Sequence, residues 1–152
     1  MADAEAGVRE MARVTRPGGT VAACVWDYSG EMTLLRAFWA AARLVDPERG
    51  AAADEGVVMS WVREGELAEL WRRCGLQDVR FGSLEVSCAY AGFDELWSPL
   101  PEGVGHAGAF TRALAPSEQL ELRDALRQKL GVGDGPFELT ARAWSAAGTV
   151  AR

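Results

Sequence analysis

The chain has 152 residues, of which 49% are hydrophobic and 25% are charged, and its formal net charge is −6. This composition is typical of one globular domain, and the acidic balance disfavours a nucleic-acid or anionic-membrane partner, since either would need a basic surface. No apolar run is as long as a membrane span, and the first ten residues, MADAEAGVRE, lack the basic flank and apolar core of a secretion signal.

The three cysteines, Cys24, Cys74 and Cys88, are widely spaced and lie in apolar surroundings. We therefore predict that they are reduced core residues of a cytoplasmic protein. Together with His106 they have the right number of ligands for a zinc site. The chain lacks the closely spaced ligand pair that such sites use, so no metal is predicted.

The first third of the chain predicts helix, strand and helix. An apolar stripe predicts a helix over residues 3–15, and Arg16-Pro17-Gly18-Gly19 ends it with a tight turn. The run TVAACVW over residues 20–26 is apolar at nearly every position, which predicts a strand covered by helices on both faces. A helix is expected over residues 31–45, followed by an acidic loop over 46–58.

The middle of the chain predicts a helix and a long strand. A helix over residues 63–74 is expected to end at Gly75 in the left-handed conformation. A strand over residues 79–90 follows, with alternating apolar positions that predict one buried face. The residues assigned to that face are Leu84, Val86, Cys88 and Tyr90. The acidic side chains before and within the preceding helix are interpreted as solvated charge: Asp54, Glu55, Glu64, Glu66 and Glu69.

The last third predicts a helical insertion and a final strand. Short helices are expected over residues 93–97 and 107–114, a longer one over 116–130, and a strand over 137–147. The order of elements predicts an α/β unit with three strands. We expect one domain, residues 1–152, in which residues 91–136 form a helical patch.

Three segments, in this order, carry a family resemblance: REMARVTRPGGTVAACVWDY, ELAELWRRCGLQDVRFGSLEV and FELTARAWSAAG. They resemble the last three strands, and the helices before them, of class I S-adenosylmethionine-dependent methyltransferases of the ubiquinone-biosynthesis type. The resemblance implies half of a Rossmann-like sheet, with the last strand central and antiparallel to the other two and with helices on both faces. It also implies that the chain is the C-terminal, truncated half of such a domain, with the insertion over the substrate side.

The resemblance further implies methyl transfer to a small-molecule acceptor. In the family the cofactor, S-adenosylmethionine, is held by parts that precede the segments matched here, so we expect no cofactor to bind this chain alone and the isolated chain to be inactive. The alternative is a non-catalytic protein that self-associates or binds a small ligand or a partner. One GxGxxG match, residues 103–108, does not follow a predicted strand, so a flexible loop is the preferred interpretation.

Candidate substrate-binding residues lie in two segments. Trp26, Asp27 and Tyr28 end the first strand, where α/β sheets bind ligands and where the resemblance places the methyl acceptor. The alternative is a packed strand end, with Asp27 capping the next helix.

The other three candidates lie in the insertion. Trp97 and Phe110 could wall an aromatic pocket or simply pack on the sheet. His106, the only histidine, could act as a general base or be solvated. No catalytic residue is assigned.

The strand over residues 20–26 also predicts a partner. Its outer edge would expose unpaired backbone groups, and no proline or lysine lies within it to block pairing. We expect either a homodimer through this edge or a separate chain that carries the missing half of the sheet.

Overall fold

A computed structural model describes residues 3–152, which fold into an α/β structure around one three-stranded antiparallel sheet. Eight α-helices and one short 3₁₀ helix surround the sheet in this part of the chain. The elements are α1 (Ala4–Val14), β1 (Thr20–Trp26), α2 (Thr33–Val45), α3 (Pro47–Ala53), α4 (Glu55–Val58), the 3₁₀ helix (Ser60–Val62), α5 (Glu66–Arg73), β2 (Gln77–Tyr90), α6 (Phe93–Trp97), α7 (Gly105–Arg112), α8 (Pro116–Leu130) and β3 (Phe137–Thr149).

The strand order is β1-β3-β2, so the last strand in the chain lies at the centre and runs antiparallel to both neighbours. This confirms the order and directions expected from the sequence. β3 pairs with all of β1, from Thr20↔Thr149 to Trp26↔Ala143. It pairs with β2 from Tyr90↔Phe137 to Arg80↔Ala147, beyond which the register shifts before Gln77.

Residues at the ends of helices and in turns have the local geometry that their types favour. Asp3 accepts a hydrogen bond from the Ala6 N–H at 2.9 Å and so caps α1. Gly18 and Gly75 adopt positive φ angles of 72° and 84°, which glycine tolerates. Gly75 follows the end of α5, and Gly18 lies in the turn between α1 and β1.

Two apolar clusters hold the helices. One joins α1 and α5 to the sheet face that carries Val21 and Ala146. The other joins α2, α6, α7 and α8 around Phe38 and Trp39, and it reaches Leu139 and Tyr90 on the opposite face of the sheet. Helices therefore contact both faces, but the second cluster covers only one end of its face.

The uncovered end corrects two expectations about the strands. β1 is buried on one face only, because Val21 is buried while Ala22 and Cys24 are exposed. The predicted buried face of β2 is also wrong, since Leu84 and Val86 are 55% and 51% exposed. Cys24 and Cys88 lie on this open face and are exposed, so they are not core residues.

The predicted loop over residues 46–58 is also wrong, because it contains α3 and α4. Asp46 caps α3 by accepting a hydrogen bond from the Arg49 N–H at 3.0 Å, and Pro47 occupies the first helical turn. Aspartate followed by proline is a recognised helix start, because proline there loses no hydrogen bond. These two short helices bring acidic residues against α2, where the candidate site lies.

Candidate functional site

A cavity of about 470 Å³ lies between the end of β1, α2, α4 and the segment that holds α6 and α7. We call it the Glu55 cavity. Most of its wall is apolar, and the polar groups that reach it include both tyrosines of the chain and its only histidine. Its lining residues are Tyr28, Leu34, Leu35, Glu55, Tyr90, Glu95, Leu96, Pro99, Leu100, Val104, Gly105, His106 and Ala107.

The apolar face of α2 provides the fixed side of the site. Phe38 and Trp39 are fully buried and pack edge to face, with ring centroids 4.9 Å apart. Phe110 of α7 packs against both rings, at 6.1 Å and 5.6 Å. Edge-to-face packing of this kind stabilises the arrangement beyond simple burial. The packing of Trp39 against Phe38 and Phe110 fixes the direction of the Trp39 indole N–H.

Two arginines on α2 anchor the start of α4. Asp54 is fully buried and forms ion pairs with Arg36 and with Arg43, the latter at 2.5 Å. Asp54 also accepts a hydrogen bond from the Gly56 N–H at 2.9 Å, which caps α4. A buried carboxylate is costly unless it is paired and hydrogen-bonded, and these contacts meet that requirement.

Glu55 is the polar centre of the cavity. Its side chain is buried, and the Trp39 Nε1–H donates to Glu55 Oε2 at 2.6 Å. The other carboxylate oxygen lies 3.0 Å from His106 Nδ1, and the His106 side chain is 64% exposed. The carboxylate therefore lies between a buried indole and an accessible imidazole.

The prediction that Asp54 and Glu55 are solvated charge is therefore wrong. Their partners, Arg36, Arg43 and Trp39, lie on α2, and the sequence places them 11 to 18 residues away. No short motif connects them. The only local signal was the helix start at Asp46-Pro47, which indicates a helix within residues 46–58 but not its packing against α2.

The two tyrosines are held in their protonated form. The pKa of Tyr28 is raised above its ordinary value of 10.0, mainly by burial and to a lesser extent by the negative charge of Glu55. The pKa of Tyr90 is raised to about 12, mainly by burial and to a lesser extent by contact with Cys88 and the charge of Glu95. Both hydroxyls therefore remain neutral and can donate hydrogen bonds at physiological pH.

The structure separates the three candidates at the end of β1. Tyr28 lines the Glu55 cavity, whereas Trp26 is 38% exposed and faces the open end of the sheet. Asp27 is buried and pairs with Arg142 at 2.8 Å. It also accepts hydrogen bonds from the Glu31 N–H at 3.0 Å and the Ser29 hydroxyl at 3.2 Å. These contacts correspond to the packed strand end, but the predicted capping role is wrong, because the N-cap of α2 is Met32 and no side chain caps that helix.

The three candidates in the insertion are also divided. His106 lines the Glu55 cavity, and it also lines a shallower site of about 500 Å³ together with Phe110 and Arg49. Phe110 is mainly a core residue, packed on Phe38 and Trp39. Trp97 stacks on Phe93 within α6, with ring centroids 6.4 Å apart.

The glycine-rich segment over residues 103–108 does not have the shape of a cofactor loop. It follows α6 rather than a strand, and α7 begins inside it at Gly105. A Cβ atom on Gly108 would lie 2.6 Å from the carbonyl carbon of Gly103, so these two glycines allow the segment to pack closely on itself. A dinucleotide-type loop instead leaves its glycine backbone open to the ligand.

Within residues 3–152, no group of three or more histidine, cysteine, aspartate or glutamate residues is placed to hold a metal ion. Among the same residues, every helix is too short or too polar to cross a membrane. Neither a protein-family model nor a curated protein matches the chain.

Proposed function

We propose that this chain binds a small, neutral, mainly apolar molecule in the Glu55 cavity and presents it as the acceptor in methyl transfer. The observation that carries the proposal is the cavity itself. Its volume of about 470 Å³ lies within the ordinary range for small-molecule sites, and a few converging polar groups interrupt its apolar wall.

The charges around the cavity disfavour an anionic ligand. Two of its lining residues, Glu55 and Glu95, are carboxylates, which repel an anionic ligand. Tyr28 and Tyr90 are protonated at neutral pH, and burial raises their pKa values further. They offer hydroxyl groups to a ligand hydroxyl or carbonyl. A flat or apolar molecule with one hydroxyl group therefore matches the lining.

His106 is the candidate general base of the site. A neutral imidazole has one donor and one acceptor nitrogen, so an Nδ1–H directed at Glu55 leaves Nε2 to accept a proton. The carboxylate also stabilises the imidazolium that forms when His106 takes a proton from an acceptor hydroxyl. Removing that proton makes the acceptor oxygen a stronger nucleophile.

The assignment to methyl transfer is supported by the sheet. A final strand that lies centrally and antiparallel, together with the order of the three sequence segments, is the arrangement implied by the methyltransferase resemblance. Fold likeness is only an association and does not itself establish an activity. The methyl donor, S-adenosylmethionine, does not fit residues 103–108, so we derive no step through it.

A second candidate function is ligand binding without catalysis. It is favoured by the same segment, because residues 103–108 pack on themselves rather than forming a donor loop. Both candidates use the Glu55 cavity, and they differ in whether bound ligand loses a proton to His106.

Calorimetric titration with 2-naphthol tests the proposal, since this probe is flat, neutral and carries one hydroxyl. We expect saturable binding, and binding at least tenfold weaker for naphthalene-2-carboxylate because of the two cavity carboxylates, a difference of about 1.4 kcal/mol. Val104→Trp should weaken 2-naphthol binding by a similar factor, since exposed Val104 lines the cavity.

Leu120→Trp is the matched control, because Leu120 is equally exposed but lies on α8 away from the cavity lining. Equal effects of the two tryptophans, or equal affinity for the two probes, would contradict the proposal. S-adenosylmethionine titrated alone should bind no more tightly than about 1 mM. Micromolar binding would contradict the statement that the donor does not fit.

A further inference from the structure

β1 is an edge strand, and no other strand of the described residues pairs with its outer edge. The Asp27 N–H donates to the Arg142 carbonyl, and the Gly19 carbonyl accepts from the Val150 N–H, both at 2.9 Å. Backbone groups of successive residues in an antiparallel pair point alternately toward and away from the partner strand. The odd-numbered residues of β1 therefore face β3, and Thr20, Ala22, Cys24 and Trp26 face outward.

These outward groups lack partners within the described residues. No backbone hydrogen bond outside the β1–β3 pairing involves Thr20, Ala22 or Cys24 in residues 3–152, and the Trp26 carbonyl accepts only from the nearby Tyr28 N–H. All four residues are exposed. An apolar edge with free donors and acceptors is a template for another strand.

We propose that two copies of this chain associate through the outer edges of their β1 strands, which pair antiparallel about a two-fold axis beside Ala23. In this register Ala22 of each copy lies opposite Cys24 of the other, and Thr20 lies opposite Trp26. All four outward-facing residues of each strand then gain backbone partners. The result is one continuous six-stranded sheet.

The charges on either side of β1 favour a second copy in this orientation. Exposed Arg16 precedes the strand, and Glu31 follows it; the Glu31 side chain is 61% exposed and lies 3.9 Å from Arg142 of its own chain. Antiparallel pairing brings Arg16 of each copy toward Glu31 of the other, whereas parallel pairing would bring like charges together. β1 itself contains no charged residue, so no like charges face each other within the paired strands.

The open face beside the edge would be partly covered in the same dimer. A groove of about 380 Å³ runs from Cys24 and Trp26 across Ala143 to Leu84 and Val86. Because paired residues in an antiparallel sheet share a face, the partner's β1 side chains extend this apolar surface and shield Trp26. The inference does not depend on the proposed ligand-binding function.

Light scattering coupled to size exclusion, at about 100 µM protein, tests this proposal because dimer formation depends on concentration. We expect a mass of twice 16.4 kDa for the unaltered chain. Ala22→Pro removes an outward N–H without removing a β1–β3 hydrogen bond, so it should weaken the dimer at least tenfold. Val86→Lys changes the open face but leaves the edge intact, and this variant should remain dimeric.

Cross-linking of the unaltered chain with a short bis-maleimide gives a second readout that does not depend on a variant folding. Cys24 lies roughly 7–8 Å from its symmetry mate in this register, so peptides joined Cys24 to Cys24 are expected, whereas links between Cys88 residues are not. A monomer at this concentration would overturn the proposal. A dimer that Val86→Lys disrupts and Ala22→Pro does not would also overturn it. The same holds for a chain that stays monomeric and pairs only with a separate chain that carries a strand.

Discussion

Glu55 and Asp54 are adjacent in sequence, and both are buried, but they have different roles. Asp54 is neutralised by two arginines and capped by its own helix, so it fixes α4 in place. Glu55 has an indole donor on one side and an imidazole on the other. The partner of Glu55, His106, is 64% exposed, whereas the two arginines that pair with Asp54 are 25% and 34% exposed.

Asp27 illustrates a charged residue whose role is structural. Burial alone would raise the pKa of its carboxyl. The Glu31 N–H, Arg142 and Ser29 together outweigh that effect and hold the pKa below its usual value of 3.8. A depressed pKa means that the charged form stabilises the fold above pH 3.8, and that this contribution is lost as pH falls through the lower pKa of the folded state.

Asp27→Asn should lower the free energy of unfolding by about 1–3 kcal/mol at neutral pH, because Arg142 loses a charged partner. Urea denaturation at a series of pH values measures this. The difference from the unaltered chain should shrink as pH falls from 3.8 towards the lower pKa of the folded state, because only below that lower pKa is Asp27 protonated in both states.

Glu31→Gln is the control for that variant, since Glu31 is exposed and lies 3.9 Å from Arg142. It should change stability by less than about 0.5 kcal/mol. An Asp27→Asn variant as stable as the unaltered chain, or a difference that does not vary with pH, would show that the Asp27–Arg142 pair does not stabilise the fold.

The bounds of many elements follow directly from the sequence. β1, α6 and α8 begin and end where turn and helix signals predict, because proline and glycine restrict the backbone locally. The burial of strand faces does not follow in the same way. Leu84 and Val86 have the alternation of a buried face, but whether a helix covers them depends on packing that no local pattern records.

The candidate site was predicted only in part, because contacts between residues distant in sequence leave no local pattern. Tyr28 and His106 were identified because tyrosines and histidines at strand ends and in loops carry recognisable chemistry, and both line the Glu55 cavity. Glu55 was missed because its partners, Trp39 and His106, lie 16 and 51 residues away in sequence. Only the folded chain brings them together.

The position of α4 depends on a close approach at Gly56. A Cβ atom there would overlap the carbonyl oxygen of Tyr28, so only glycine allows α4 to lie against the end of β1. Gly56→Ala should displace Glu55, weaken 2-naphthol binding several-fold and lower the free energy of unfolding by about 1–3 kcal/mol. Calorimetry and urea denaturation measure the two effects.

Gly133→Ala is the matched control, because no neighbouring atom lies within 4 Å of the added Cβ. It should change stability by no more than about 0.5 kcal/mol and leave binding unchanged. If Gly56→Ala behaves like Gly133→Ala, the close packing of α4 does not determine the site.

At the scale of the whole molecule, the two proposed surfaces lie on different parts of the fold. The Glu55 cavity belongs to the cluster formed by α2, α6, α7 and α8, whereas the open edge of β1 lies beside the uncovered end of the sheet. Tyr28 lines both the cavity and the groove beside that edge. Val104 lines only the cavity and Ala22 lies only on the edge, so Val104→Trp and Ala22→Pro allow ligand binding and self-association to be measured separately.

The presence of a single histidine allows the central claim to be tested directly. The imidazole resonances of His106 can be followed by nuclear magnetic resonance while 2-naphthol is added, without ambiguity of assignment. Ligand binding beside the Glu55–His106 contact should shift these resonances in a saturable way, and Val104→Trp should move the saturation to about tenfold higher 2-naphthol concentration. Saturable binding of 2-naphthol that leaves the imidazole resonances unchanged would contradict the claim that the ligand binds in the Glu55 cavity.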